Sequence, residues 1–84
     1  MNNEFLIKID SIEKVKEFCK ICCNESFDID VKADRYVVDG KSILGLFSID
    51  ITKELVCSCN SDLEQELLSF REKIEDYLVE EGHV

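Results

Sequence analysis

The chain contains no proline, no tryptophan, three glycines and one histidine among its 84 residues. Without proline and with so little glycine, it does not read as a linker or a tail, and an apolar content of 45% marks a compact, ordered globule. No apolar run approaches the ~20 residues of a membrane-spanning helix. The opening Met-Asn-Asn-Glu lacks a basic stretch followed by an apolar one, so no secretory leader is expected. Positive charge is scarce too: ten Lys and Arg stand against 19 Asp and Glu, a net charge of −9. Nucleic acid and anionic membrane both need a net positive surface, and neither is expected as a partner. The same acidity gives solubility and suits a basic face on a protein partner, with a monomer or weak dimer expected.

Five cysteines are present, an odd number, three of them within Cys19–Cys23. That fits a reducing cytoplasm better than a disulfide framework. The length gives one small domain over residues 1–84, with a single core and little stability to spare.

The pattern of elements follows from periodicity. Phe5 to Ile9 reads as a first strand, with Phe5, Ile7 and Ile9 on one face. Asp10-Ser11 supplies cap chemistry, and Ile12, Val15, Phe18, Cys19, Cys22 and Cys23 then recur at helical spacing up to Asn24. Phe27 to Val31 alternates strictly, Ala33-Asp34-Arg35 turns the chain, and Tyr36 to Val38 is a third strand. Asp39-Gly40 is a turn pair, after which Ser42 precedes Ile43, Leu44, Leu46 and Phe47, too closely spaced for strand alternation. That is a stubby helix capped by the Ser42 hydroxyl. Leu55 to Asn60 forms a fourth strand, with Leu55, Cys57 and Cys59 on one face. Ser61-Asp62-Leu63-Glu64 has the form of a capping box, opening a last helix with Leu63, Leu67, Phe70, Ile74 and Leu78 as its stripe. The order β-α-β-β-α-β-α, with one apolar face per strand and one stripe per helix, predicts an α+β open-faced sandwich. Three helices cover one face of a four-stranded antiparallel sheet.

The segment Lys41-Ser42-Ile43-Leu44-Gly45, with the apolar positions after it, resembles the short second helix of HPr, the histidine-containing phosphocarrier of the bacterial sugar phosphotransferase system. The order and length of the elements extend the resemblance over nearly the whole chain. It implies a cytoplasmic protein of the phosphotransferase-system type that is no enzyme and holds no cofactor. In that family a histidine at the N-cap of the first helix accepts the phosphoryl group, and an arginine close behind steadies it. Counting back from Lys41 without gaps puts Ser11 at the histidine position and Glu13 at the arginine position. A phosphoserine is a stable ester, unlike a phosphohistidine, and Glu13 repels phosphate where an Arg would bind it. The expectation is therefore a binding or regulatory relative that carries no phosphoryl group. A carrier with an unusual acceptor is the alternative, and His83 in the acidic tail is a poor one, because no helix N-terminus holds it.

The resemblance also implies regulation at Ser42, which a dedicated HPr kinase phosphorylates in many relatives, with Lys41 alongside. Added negative charge at a helix start is physically favourable, and the plain alternative is a cap worth ~1 kcal/mol. Lys41, Leu44 and Phe47 are the candidate partner-binding residues, facing the kinase or a transcriptional regulator, with full burial of Leu44 and Phe47 as the competing expectation.

Three other constellations carry less. Gly40-Lys41-Ser42 has Arg35 where a phosphate-binding loop needs glycine. Asp28, Asp30 and Asp34 lack a calcium loop's glycine and closing glutamate, and the strand pattern puts Asp28 and Asp30 on a wet face. Cys19, Cys22 and Cys23 on one helix face oppose Cys57 and Cys59 on one strand face, which leaves a thiol or zinc protein on this scaffold as a further alternative. Core packing is the simpler reading and no metal is expected, because structural zinc draws its ligands from knuckles and loops rather than from mid-helix.

Overall fold

A computed structural model describes residues 3–79. Strand β1 (Glu4–Ile7) leads into α1 (Ile12–Cys23), followed by β2 (Asp28–Ala33), β3 (Tyr36–Asp39), α2 (Ile43–Phe47), β4 (Leu55–Asn60) and α3 (Glu64–Lys73). A 3-10 turn at Glu75–Tyr77 closes the described chain. The four strands form one antiparallel sheet in the order β1-β4-β2-β3. This is the α+β sandwich that the periodicity predicts.

Alternation along the strands decides which face is covered. Ile7, Ile29, Val31, Ala33, Leu55, Cys57 and Cys59 all point into the core, while Glu4, Asp28, Asp30 and Asp39 lie on the other, open face. The helices supply Val15, Phe18, Cys19, Cys22, Leu46, Leu67, Phe70 and Ile74 to the same core. Phe27 and Phe70 meet edge-on, their ring centres 5.8 Å apart, and Phe18 meets Tyr77 in the same way at 6.2 Å. No charged or polar side chain is buried among the described residues. The fold therefore rests on apolar burial and carries no internal ion pair that would have to repay its own desolvation.

Several sequence expectations need correction. The capping box at Ser61 does not form. The Ser61 hydroxyl instead donates to Glu66 Oε1 at 2.5 Å and accepts from the Leu63 N–H, and α3 begins only at Glu64 without a side-chain cap. Glu66 lies nearer than Glu64 because Ser61 stands two residues outside the cap position, and Glu66 binds the Ser26 hydroxyl as well. The long C-terminal stripe is also interrupted. Leu63 is exposed, α3 ends at Lys73, and Leu78 lies past the 3-10 turn in an isolated bridge with Ile7. In α1 the stripe is narrower than predicted: Ile12 overhangs the first turn and Cys23 faces solvent. Strand β1 starts one residue earlier than expected and ends at Ile7, although Ile9 beyond it is still fully buried.

Candidate functional site

Two helix starts define the site. At the first, Ser11 is extended (φ −144°, ψ 160°) and its hydroxyl accepts the Lys14 backbone N–H at 3.2 Å. The cap is what the sequence calls for: a small hydroxyl residue ahead of an amphipathic run, satisfying one free donor of the first turn. The charges around it are unfriendly to an anion. Glu13 is exposed in the first turn, and the nearest cation, Lys14, is tied to Asp10 at 3.0 Å. That hydrogen bond, with the charge of Lys14, holds the Asp10 carboxyl below the usual carboxylate range. The first turn thus presents two carboxylates and a cation already engaged by one of them.

At the second helix start Ser42 caps α2 (φ −107°, ψ 111°), its hydroxyl accepting the Gly45 N–H at 3.1 Å. Asp39 holds the approach to it. Its carbonyl accepts the Ser42 N–H at 3.0 Å and its carboxylate accepts the Lys41 N–H at 2.9 Å. Lys41 is not turned toward Ser42 as a phosphate partner. Its ammonium donates to the Glu25 carbonyl at 2.9 Å, pinning the α1–β2 loop to the start of α2. Glu25 in turn receives Lys73 of α3 at 2.8 Å, so three elements meet behind Ser42.

Helix α2 has five residues, and Leu46 alone is fully buried. Leu44 is 81% exposed and Phe47 41% exposed, three positions apart and hence on one side of the helix. Ile43 stands at the margin, and Ile12 of α1 is 57% exposed. Sequence reasoning missed Ile12, because an apolar residue at the start of a helical stripe carries no signal that it overhangs the core.

The helix and strand thiols meet in the core, with Cys22 beside Cys57 and Cys59, but not as a ligand set. Cys23 lies outside the core and its Sγ donates to the Lys41 carbonyl, while Cys19, Cys22, Cys57 and Cys59 are buried and free. Burial pushes the Cys22 thiol up, and the hydrogen bond shared with Cys59, together with burial, does the same to Cys57. No group of three or more potential ligands among the described residues could hold a metal ion. His83 lies outside the described residues.

No family model matches the chain, and no curated protein matches it in sequence. Solved structures do. HPr-C-His from Thermoanaerobacter tengcongensis is similar over 90% of this chain and 93% of its own, with 25% identity and a TM-score of 0.71. A histidine-containing phosphocarrier protein from Mycoplasma is similar over 87% of this chain and 92% of its own, with 17% identity and a TM-score of 0.65, a likeness of fold alone. The chain is an HPr-like protein. No helix among its described residues is long and apolar enough to cross a membrane.

Proposed function

We propose that this chain is a one-domain, cytoplasmic member of the bacterial phosphotransferase-system type that binds and regulates protein partners and does not pass phosphoryl groups on. The observation that carries this reading is the pair Leu44 and Phe47, held in solvent on a five-residue helix whose cap is Ser42. Two apolar groups on one side of so short a helix, with Ile43 beside them, make a surface that a partner would cover. Lys41, Leu44 and Phe47 would form the contact, and the partner would be an HPr kinase or a transcriptional regulator. Phosphorylation of Ser42 would place nearly two negative charges beside that contact.

The first turn of α1 supports the negative half of the reading. Ser11 replaces an imidazole with a hydroxyl whose phosphoester does not transfer, and Glu13 and Asp10 surround it with negative charge. The decisive experiment has two arms. With phosphoenolpyruvate and the first enzyme of the system, mass spectrometry should find no acid-labile phosphate. With ATP and an HPr kinase, site mapping should find phosphate on Ser42 and none on Ser11 or Ser48, and Ser42→Ala should abolish it. An acid-labile adduct in the first arm would restore the carrier reading. Failure of the kinase, with parent and Ser42→Asp proteins capturing the same partners, would reduce Ser42 to a cap.

A further inference from the structure

The two edges of the sheet are treated differently. The outer edge of β1 is closed by the chain itself: the Lys8 N–H reaches the Tyr77 carbonyl at 2.8 Å, and the Val79 N–H reaches the Leu6 carbonyl at 2.9 Å. At the other end of the sheet, nothing among the described residues pairs with the outer edge of β3. The register shows which of its groups point outward. Gly40 N–H bonds the Ile29 carbonyl at 2.7 Å, and the pairs Val31–Val38 and Ala33–Tyr36 follow in step. Antiparallel alternation then turns the N–H and C=O of Val37, and the N–H of Asp39, away from β2. Tyr36 is 63% exposed and Val37 58% exposed, and the strand carries none of the proline or lysine that usually blunts an edge.

Beside this edge the open face is acidic. Asp30 stands directly across from Asp39, and Asp28 follows two residues along the same strand. Together with Ser58, Asn60 and Asn3 they line one shallow depression. Among the described residues no cation offsets them there. Lys32, next along β2 on that face, is drawn to Glu4 at 3.3 Å. Like charges directly opposed across strands are destabilising, so a pairing surface of this kind favours cations brought from outside.

We infer that the β3 edge docks an extended segment of a partner protein, antiparallel to Tyr36–Asp39, with a Lys or Arg set opposite Asp39 and apolar side chains opposite Val37 and Tyr36. The backbone of Val37 exchanges two hydrogen bonds with the incoming strand and the N–H of Asp39 offers a third, which is recognition by strand addition. Alternation puts the partner's cation on the open face, beside Asp39 and in line with Asp30 one strand further in. A second copy of this chain is disfavoured as the occupant, because it would bring a charge of −9 to a surface already negative. The site shares Asp39 with the approach to Ser42 but uses the outward edge of the strand, and the inference stands whether or not the proposed function does.

The test uses the full chain and an acetylated, amidated hexapeptide, Lys-Lys-Lys-Ile-Val-Tyr, followed by amide NMR and titration. The expected result is a set of shifts centred on residues 36–39 and on Asp28 and Asp30, passing through Asp39 to the Lys41 and Ser42 amides and leaving α1 and the rest of α2 unmoved. Methylating the peptide's Val nitrogen keeps every charge but removes the bond to the Val37 carbonyl, and it should weaken binding at least tenfold. Val37→Pro, which removes an outward N–H and no ladder bond, should do the same in a protein of unchanged fold. Asp28→Asn with Asp30→Asn should weaken binding severalfold and flatten its salt dependence. Equal binding of the methylated peptide, shifts confined to α1 and α2, or self-association through β3 without peptide would each overturn the inference.

Discussion

Gly40 joins β3 to α2, and replacing it with alanine tests whether the Ser42 helix is positioned as tightly as the packing indicates. A Cβ at this place would meet Ile29 Cγ2 at 3.0 Å, the Ile29 carbonyl oxygen at 3.2 Å and Cys22 Sγ at 3.3 Å. None of these can yield cheaply. Ile29 and Cys22 are fully buried, and the carbonyl oxygen is the one that accepts Gly40's own N–H at 2.7 Å. Overpacking a tight core site costs about 1–3 kcal/mol, from which the reduced freedom of the unfolded chain returns about 0.4–1. The net loss centres on about 1.3 kcal/mol and reaches at most about 2.6, and the central value is a fall in Tm of about 5–10 °C for a domain of this size. Gly45→Ala is the internal control. Its Cβ meets Ser42 Oγ at 3.2 Å and two carbons at 3.4 Å, while the helix gains about 1 kcal/mol of propensity, so stability should stay within about 0.5 kcal/mol. Urea denaturation with unchanged slope, followed by thermal melting, measures both variants. A Gly40→Ala protein as stable as its parent would show that β3 and α2 can part freely, and the reasoning about Ser42's fixed position would fail with it.

Three further outcomes follow from burial and charge. Leu46→Ala should cost about 2–5 kcal/mol by denaturation, whereas Leu44→Ala should leave stability within about 0.5 kcal/mol and weaken only partner capture. Burial, reinforced by the hydrogen bond to Glu17 at 2.6 Å, pushes the Tyr77 phenol up to about 12. Its folded value lies above the unfolded one of about 10, so its contribution is complete below pH ~10 and fades as pH rises toward 12. Tyr77→Phe should remove that part of the alkaline loss in a pH series of melts. Of the five cysteines, Cys23 alone should react quickly with a thiol reagent in the folded protein, and all five should react after denaturation, with no effect of a chelator on the melt.

Much of the fold is legible because each element obeys one simple period. Strand β4 is the cleanest case: Leu55, Cys57 and Cys59 alternate with exposed or half-exposed partners, and the strand has the bounds its pattern gives. The caps at Ser11 and Ser42 are equally legible, since each is a hydroxyl immediately before an apolar run. The ends of stripes are not. Leu63 and Ile12 fit their periods yet lie beyond the edge of the layer beneath, and period says nothing about where a sheet stops. The failed capping box has the same origin: Ser61-x-x-Glu64 is a local rule, and contacts from Ser26 and Ser61 to Glu66 set the start of α3 instead. Lys41 could not be placed from sequence either, because its partner is a backbone carbonyl sixteen residues away. The open edge of β3 was hidden for a different reason. Which strands lie outermost depends on the order β1-β4-β2-β3, and the sequence order does not reveal it.

The placement of Lys41 changes what phosphorylation of Ser42 would do. A phosphoryl group on this hydroxyl keeps an oxygen for the Gly45 N–H and sits at the positive end of α2, so the cap itself has little reason to break. The nearest flexible cation is Lys41, now held by the Glu25 carbonyl at 2.9 Å. A dianion a residue away attracts an ammonium more strongly than a neutral carbonyl does. Pairing with the phosphate would therefore release Glu25 and loosen the α1–β2 loop, while Lys73 still holds the Glu25 carboxylate from α3. The consequence is directional: amide shifts on phosphorylation should run from Ser42 through Lys41 to Glu25 and Ser26, and Lys41→Met should abolish the distant part while leaving the shift at Gly45. Were the distant shifts to persist in Lys41→Met, the loop would be responding to charge alone, and Lys41 would be no more than the pin that holds α2 to its neighbour.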